Sequence, residues 1–164
     1  MTGKIKDGKD YNPFRVLGLE KEYSLGVKML EKAYFEAQRQ FHPDQFARAP
    51  AEVRIEAAEK SAIVNQAYRF LKDPLWRAEW LLKEAGVEPL SHDPIFLTDV
   101  MAWRERLEAE EDIREELLEI EKGLFKNIEE AFEKKDYAMA NTILYRLTYV
   151  RKLLKEIRHA PSTA

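Results

Sequence analysis

From Phe96 to Ile157 the chain repeats apolar residues at alternating four- and three-residue steps, and this rhythm restricts its fold most. Phe96, Val100, Trp103 and Leu107 open the series; Ile113, Leu117, Ile120, Leu124, Ile128 and Ala131 continue it. Ala140, Ile143, Leu147, Val150, Leu154 and Ile157 close it. Such spacing lays one apolar stripe along each helix, the seam of a bundle. Asp93-Pro94 opens the first of these helices, the second runs from Asp112 to about Lys134, and Asp136 caps the third. Short turns between them predict an antiparallel three-helix bundle. No stretch alternates with period two, so no sheet is expected and the chain is all-α.

Composition narrows the function. The 164 residues suffice for one ordinary domain or two small ones. A hydrophobic share of 45% supports a packed core, while 35% charged residues and 6 glycines favour helices. A formal net charge of −3 gives no basic field, so no nucleic-acid partner is expected. The absence of cysteine excludes disulfides, a thiolate nucleophile, a cysteine zinc site and cysteine ligation of an iron–sulfur cluster. His42, His92 and His159 are far apart in sequence, so neither a metal site nor a cofactor is expected. No apolar run is long enough to span a bilayer and no signal peptide is evident. Met1–Lys9 reads as a flexible start and the tail from His159 as frayed. A cytoplasmic protein without a membrane partner follows as the expectation.

The first half turns on Gln40-Phe41-His42-Pro43-Asp44-Gln45-Phe46. Pro43 fixes its own φ, lacks an N–H and pushes His42 out of the α region, so the helix before it must stop near Phe41. His42, Pro43 and Asp44 then form a rigid, polar, exposed corner at the tip of a helix pair. Upstream, Asn12 and Pro13 start a short helix that Gly18 ends. Ser24 is the candidate cap of the next helix, whose inner face carries Leu30, Tyr34, Ala37 and Phe41. Lys28, Lys32, Phe35 and Arg39 share another face that leads to the corner. That face is either a solvated stripe or a docking surface. Pro50 suits the first turn of a helix to about Lys72, antiparallel to its predecessor, with Val64, Ala67, Tyr68 and Leu71 inside. Asp73-Pro74 stops it and opens Leu75 to Ala85, whose Trp76, Trp80, Leu81 and Leu82 predict burial between two packing units. Val87 to Pro94 is the linker.

These residues carry a resemblance. Tyr11 to Leu19, Lys32-Ala33-Tyr34, Phe41-His42-Pro43-Asp44, Val64 to Tyr68 and Asp73-Pro74 together resemble a J-domain. Arg39 to Phe46, Ser61 to Ala67, Pro74 to Leu82, Phe96-Leu97 and Trp103 to Glu108 are more closely similar to the HscB (Jac-type) co-chaperones of iron–sulfur cluster assembly. The resemblance spans about Tyr11 to Ile157 and implies an L-shaped, two-domain all-α protein. Residues 10–86 would be a J-domain and 93–158 a three-helix, scaffold-binding bundle.

Such a protein is not an enzyme and has no catalytic residue of its own. It stimulates the ATPase of an HscA/DnaK-type chaperone and delivers an IscU-type iron–sulfur scaffold protein to it. The resemblance places chaperone contacts at His42, Pro43, Asp44, Lys28, Lys32, Phe35 and Arg39. It places scaffold contacts at Leu97, Thr98, Met101, Glu105 and Tyr149, although Leu97 and Met101 would equally suit extra bundle core. Phe35 and Glu36 stand where many J-domains are basic, which suits a dedicated partner. Thr98 replaces a larger apolar residue, and Ala102 and Ala109 stand where acids are common. The acidic run from Glu105 to Glu121 is either a steering field for a basic partner or a solvated exterior. The alternative function is a general J-protein for another client, with the bundle used to dimerise. A hydrolase is the rival class, but no nucleophile–base spacing supports it, and no nucleotide-binding loop occurs.

Overall fold

The computed structural model describes residues 11–159; the expected flexible start and frayed tail fall outside them, apart from His159. The described residues hold seven α-helices and one 3₁₀ turn, and no strand. The helices are α1 Pro13–Leu17, α2 Val27–Phe41, α3 Ala51–Lys72, α4 Pro74–Glu84, α5 Pro94–Glu108, α6 Arg114–Glu133 and α7 Tyr137–His159. The chain divides into two compact units between Arg77 and Ala78, within α4.

In the first unit, Asn12 Oδ1 accepts the Arg15 N–H at 3.1 Å and Pro13 fills the first turn of α1. Gly18 ends α1 in the left-handed region at φ +66°, and the Leu19 N–H reaches back to the Phe14 carbonyl at 2.9 Å. Phe14 and Leu17 are buried along with Leu30, Val64, Ala67 and Leu71. Helix α2 does not start after Ser24: its N-cap is Gly26. Tyr23 and Leu25 are both buried with Ser24 exposed between them, and the Leu25 N–H bonds the Tyr23 carbonyl at 2.9 Å. Burying alternate residues demands non-helical backbone there, and that outweighs the capping preference of serine.

A polar network fixes the pairing of α2 and α3. Asn65 Oδ1 accepts from the Tyr34 hydroxyl at 2.8 Å and from Gln38 Nε2 at 2.6 Å, and the Ser61 hydroxyl donates to Gln38 Oε1 at 3.0 Å. The Tyr34 and Tyr68 rings stack at 4.3 Å. Because these bonds need one register, they also fix where the end of α2 lies relative to α3. Trp76 is not buried as expected: it is 48% exposed, with its ring edge-on to Phe70 at 5.2 Å. Ala78 and Leu82 carry the buried face of α4 instead.

In the second unit, α6 and α7 run close together along their length. Ile128, Ala131, Ala140, Ile143 and Leu147 are buried. Helix α5 joins them through large side chains: Phe96, Val100 and Trp103 form one cluster with Ile113, Leu117, Val150 and Leu153. On α7 it is Leu153 that is fully enclosed, while Leu154 packs at the cluster's edge. Leu153 lies off the single stripe that the seam traces, and it is enclosed because α7 packs against α5 as well as α6. Asp93 caps α5 through the Phe96 N–H and Asp136 caps α7 through the Met139 N–H. Glu110 and Lys135, in the turns flanking α6, adopt left-handed backbone at φ +62° and +56°.

Candidate functional site

The corner is built from backbone upward. His42 is extended at φ −62°, ψ 129°, as a residue before proline must be, and α2 ends at Phe41. Pro43–Phe46 then forms a 3₁₀ turn. The Gln45 N–H bonds the His42 carbonyl at 3.0 Å, and the Asp44 N–H donates to His42 Nδ1 at 3.3 Å. Since Nδ1 accepts that bond, the neutral imidazole carries its proton on Nε2. The ring thus braces the turn. The Asp44 carboxylate has no comparable tie: it is 91% exposed, with Oδ2 3.7 Å from His42 Nδ1. Lys28, Lys32, Phe35 and Arg39 are exposed on α2 at spacings that put them on one face. Lys32 lies 3.9 Å from Glu36, both well exposed, a pair that adds little stability.

The second surface lies on α5 and α7. Leu97 is half-buried, Thr98 and Glu105 are exposed, and Met101 is 64% exposed, so Met101 is not bundle core. Thr98 turns its hydroxyl back to the Pro94 carbonyl at 3.2 Å. Ile95, which the seam pattern did not single out, is 79% exposed beside them. Its only signal was negative: an isoleucine off the seam. Tyr149 is half-buried and reaches α5 through Phe96, whose ring it meets edge-on at 6.3 Å. The Tyr145 hydroxyl donates to that of Tyr149 at 3.3 Å, and this bond, then burial, raises the Tyr145 phenol above its ordinary value.

Below this surface Asp93 is 10% exposed in its side chain and joins α5 to α7. Arg146 Nε and Nη2 both reach Asp93 Oδ2 at 2.8 Å, with the guanidinium 5.5 Å from the Phe96 ring centre. Burial pushes the Asp93 carboxyl upward, but the Phe96 N–H and then the Arg146 hydrogen bond and charge prevail and hold it below its ordinary value. The acidic run is partly consumed internally: Arg106 binds Glu111 and Glu116 at 2.8 Å each, and Arg151 binds Glu121 at 2.9 Å. Among the described residues no cluster of three or more His, Asp or Glu is placed to hold a metal, and no helix is long and apolar enough to cross a membrane.

Comparison with known proteins fits both halves. The family model of the DnaJ domain matches residues 12–80, and that of the HSCB C-terminal oligomerisation domain matches residues 92–158. The co-chaperone protein HscB homolog of Aeromonas hydrophila is 33% identical over 161 residues, covering 89% of this chain and 94% of the relative. The chain belongs to the HscB co-chaperone family. The HscB homolog of Bordetella petrii is 35% identical, covering 90% of this chain and 94% of its own. Chaperone HscB from Vibrio cholerae superposes with a TM-score of 0.77 at 29% identity, over 90% of this chain and 96% of that one. Human HscB superposes with a TM-score of 0.81 over 96% of this chain and 92% of that one; at 24% identity it speaks for the fold alone. The HscB family is one of J-domain co-chaperones, not of enzymes.

Proposed function

We propose that this HscB-type chain stimulates the ATPase of an HscA/DnaK-type chaperone and brings an IscU-type iron–sulfur scaffold protein to it, in the bacterial cytoplasm. The module of residues 10–86 contacts the chaperone and that of 93–158 the scaffold. The observation that carries this reading is Asp44: an almost fully hydrated carboxylate on a turn whose shape proline and a histidine brace already set. A group so placed is free for a charge-assisted bond to an arginine on the ATPase, and little entropy is lost on docking. Lys28, Lys32, Phe35 and Arg39 extend that contact along α2, with His42 and Pro43 shaping it. Leu97, Thr98, Met101, Glu105 and Tyr149 form the scaffold contact, an apolar patch with one acid.

A steady-state ATPase assay with the purified chaperone tests the first contact. Asp44→Ala abolishes stimulation while helicity and melting stay as in the wild type; surviving stimulation refutes the assignment. For the second, replacing Leu97 and Met101 together by serine lowers scaffold affinity in calorimetric titration. A second reading draws on the description of the matched C-terminal family model, oligomerisation. In that reading the bundle joins two copies of the chain, and a J-protein for another client results. An unchanged scaffold dissociation constant for the double variant, with a concentration-dependent dimer in sedimentation, favours it.

A further inference from the structure

Helix α5 carries most of the proposed scaffold surface, yet it is the least tightly apposed of the three bundle helices. The backbones of α6 and α7 run close together, whereas α5 stands on them through Phe96, Val100 and Trp103. A helix held through long side chains can roll or slide by small amounts unless something polar fixes it, because apolar contact is non-directional. One carboxylate supplies the fix. Asp93 Oδ1 accepts the Phe96 N–H at 3.2 Å and so caps α5; its Oδ2 takes both Arg146 nitrogens at 2.8 Å and so holds α7. The Arg146 guanidinium covers the Phe96 ring, and the same ring meets Tyr145 at 6.5 Å and Tyr149 at 6.3 Å, both edge-on. The Tyr145–Tyr149 hydroxyl bond closes the arrangement.

We infer that Asp93 and Arg146 are positioning residues for partner binding, setting the first turns of α5, with Leu97 and Thr98, against Tyr149 on α7. The inference rests on the reading of that surface as the scaffold contact. Capping alone does not account for the pair. Asparagine or serine caps as well as aspartate, and neither needs an arginine. A carboxylate so nearly enclosed is also costly unless its partner's geometry is good, and a two-nitrogen grip brings direction along with attraction.

The test separates placement from stability in the full-length chain, with a purified IscU-type scaffold protein as the probe. Asp93→Asn keeps the acceptor for the Phe96 N–H and removes the charge. It should weaken scaffold binding by about ten-fold, the range typical of disturbing one well-placed interfacial group, while far-UV helicity is unchanged. Arg146→Met should weaken binding to the same degree, and the double variant no further, since the two groups act as one unit. Arg146→Lys, which keeps the charge without the two-nitrogen grip, should lie between. Ile128→Val, a core change outside the Phe96 cluster, supplies the stability control: melting falls and affinity holds.

Wild-type affinity in Asp93→Asn and Arg146→Met overturns the inference. So does a loss that merely follows melting temperature and that Ile128→Val shares. Should Asp93→Asn fail to fold, Arg146→Lys decides: wild-type affinity refutes the inference and an intermediate loss supports it. The Leu97/Met101 double serine variant, run alongside, separates the two levels. If it binds normally the scaffold reading fails; if it alone loses binding, only the positioning inference fails.

Discussion

The Pro43 corner and the outer face of α5 differ in how each side chain is held. At the corner one carboxylate stands in water while its backbone is fixed from both sides, by proline and by the His42 ring. On α5 apolar Leu97 and Met101 stand beside polar Thr98 and Glu105, only Leu97 is half-buried, and their placement depends on a neighbouring helix through Phe96 and Asp93. In the proposed function the first arrangement makes one group, local in sequence, the decisive part of its contact. The second would spread a contact over several groups whose positions are set by residues more than fifty apart. A point contact fails completely with one change, whereas a distributed one weakens by degrees.

The largest effect should come from the charge at the corner. Asp44→Asn preserves shape and should remove ATPase stimulation as completely as Asp44→Ala, whereas Leu97→Ala or Met101→Ala should each weaken scaffold binding only about three- to ten-fold. A partial loss for Asp44→Asn would break the contrast. Next in size is a core change. Ile128→Ala empties a fully buried site and should destabilise the bundle by about 2–5 kcal/mol in urea unfolding, with Asp44-dependent stimulation intact. A smaller effect is expected from salt. Raising it from about 0.05 M to about 0.5 M should weaken the corner contact several-fold and the α5 contact less than about two-fold, as titrations at each salt would show.

The smallest effect is acid sensitivity. The Asp93 carboxyl is held below its ordinary 3.8, so it contributes stability above that value. The contribution falls away as pH drops through the lower folded value, because protonation then favours the unfolded chain. Melting curves between about pH 5 and pH 3 should fall less steeply for Asp93→Asn than for the wild type.

What the sequence disclosed and withheld follows from range. The caps at Asn12, Asp93 and Asp136, the stop before Pro43 and the left-handed Gly18 all depend on neighbours within five residues, and each stands where its residue type predicts. The start of α2 did not, because burial of Tyr23 and Leu25 against the rest of the first unit outweighed the local preference of Ser24. Trp76 escaped for a related reason: a tryptophan announces apolar area but not which way its helix faces. Leu153 escaped because a one-stripe reading of α7 leaves out its second neighbour, α5, whose Phe96, Val100 and Trp103 cluster with it. Positive φ at Glu110 and Lys135 carried no glycine to announce it. At the candidate surfaces, the exposed residues of the corner were legible from Pro43 alone. The Gln38–Ser61–Asn65 network and the Asp93–Arg146 pair were not, since each joins distant segments through side chains with many other possible partners.

The openness of Asp44 has a consequence in time. A carboxylate in full contact with water gives up hydration when it pairs, and that cost offsets most of the attraction, so a bond made there is weak and quick to break. Under the proposed function brief residence would suit a trigger, since a contact that lingered after each hydrolysis would hold the partner ATPase in its spent state.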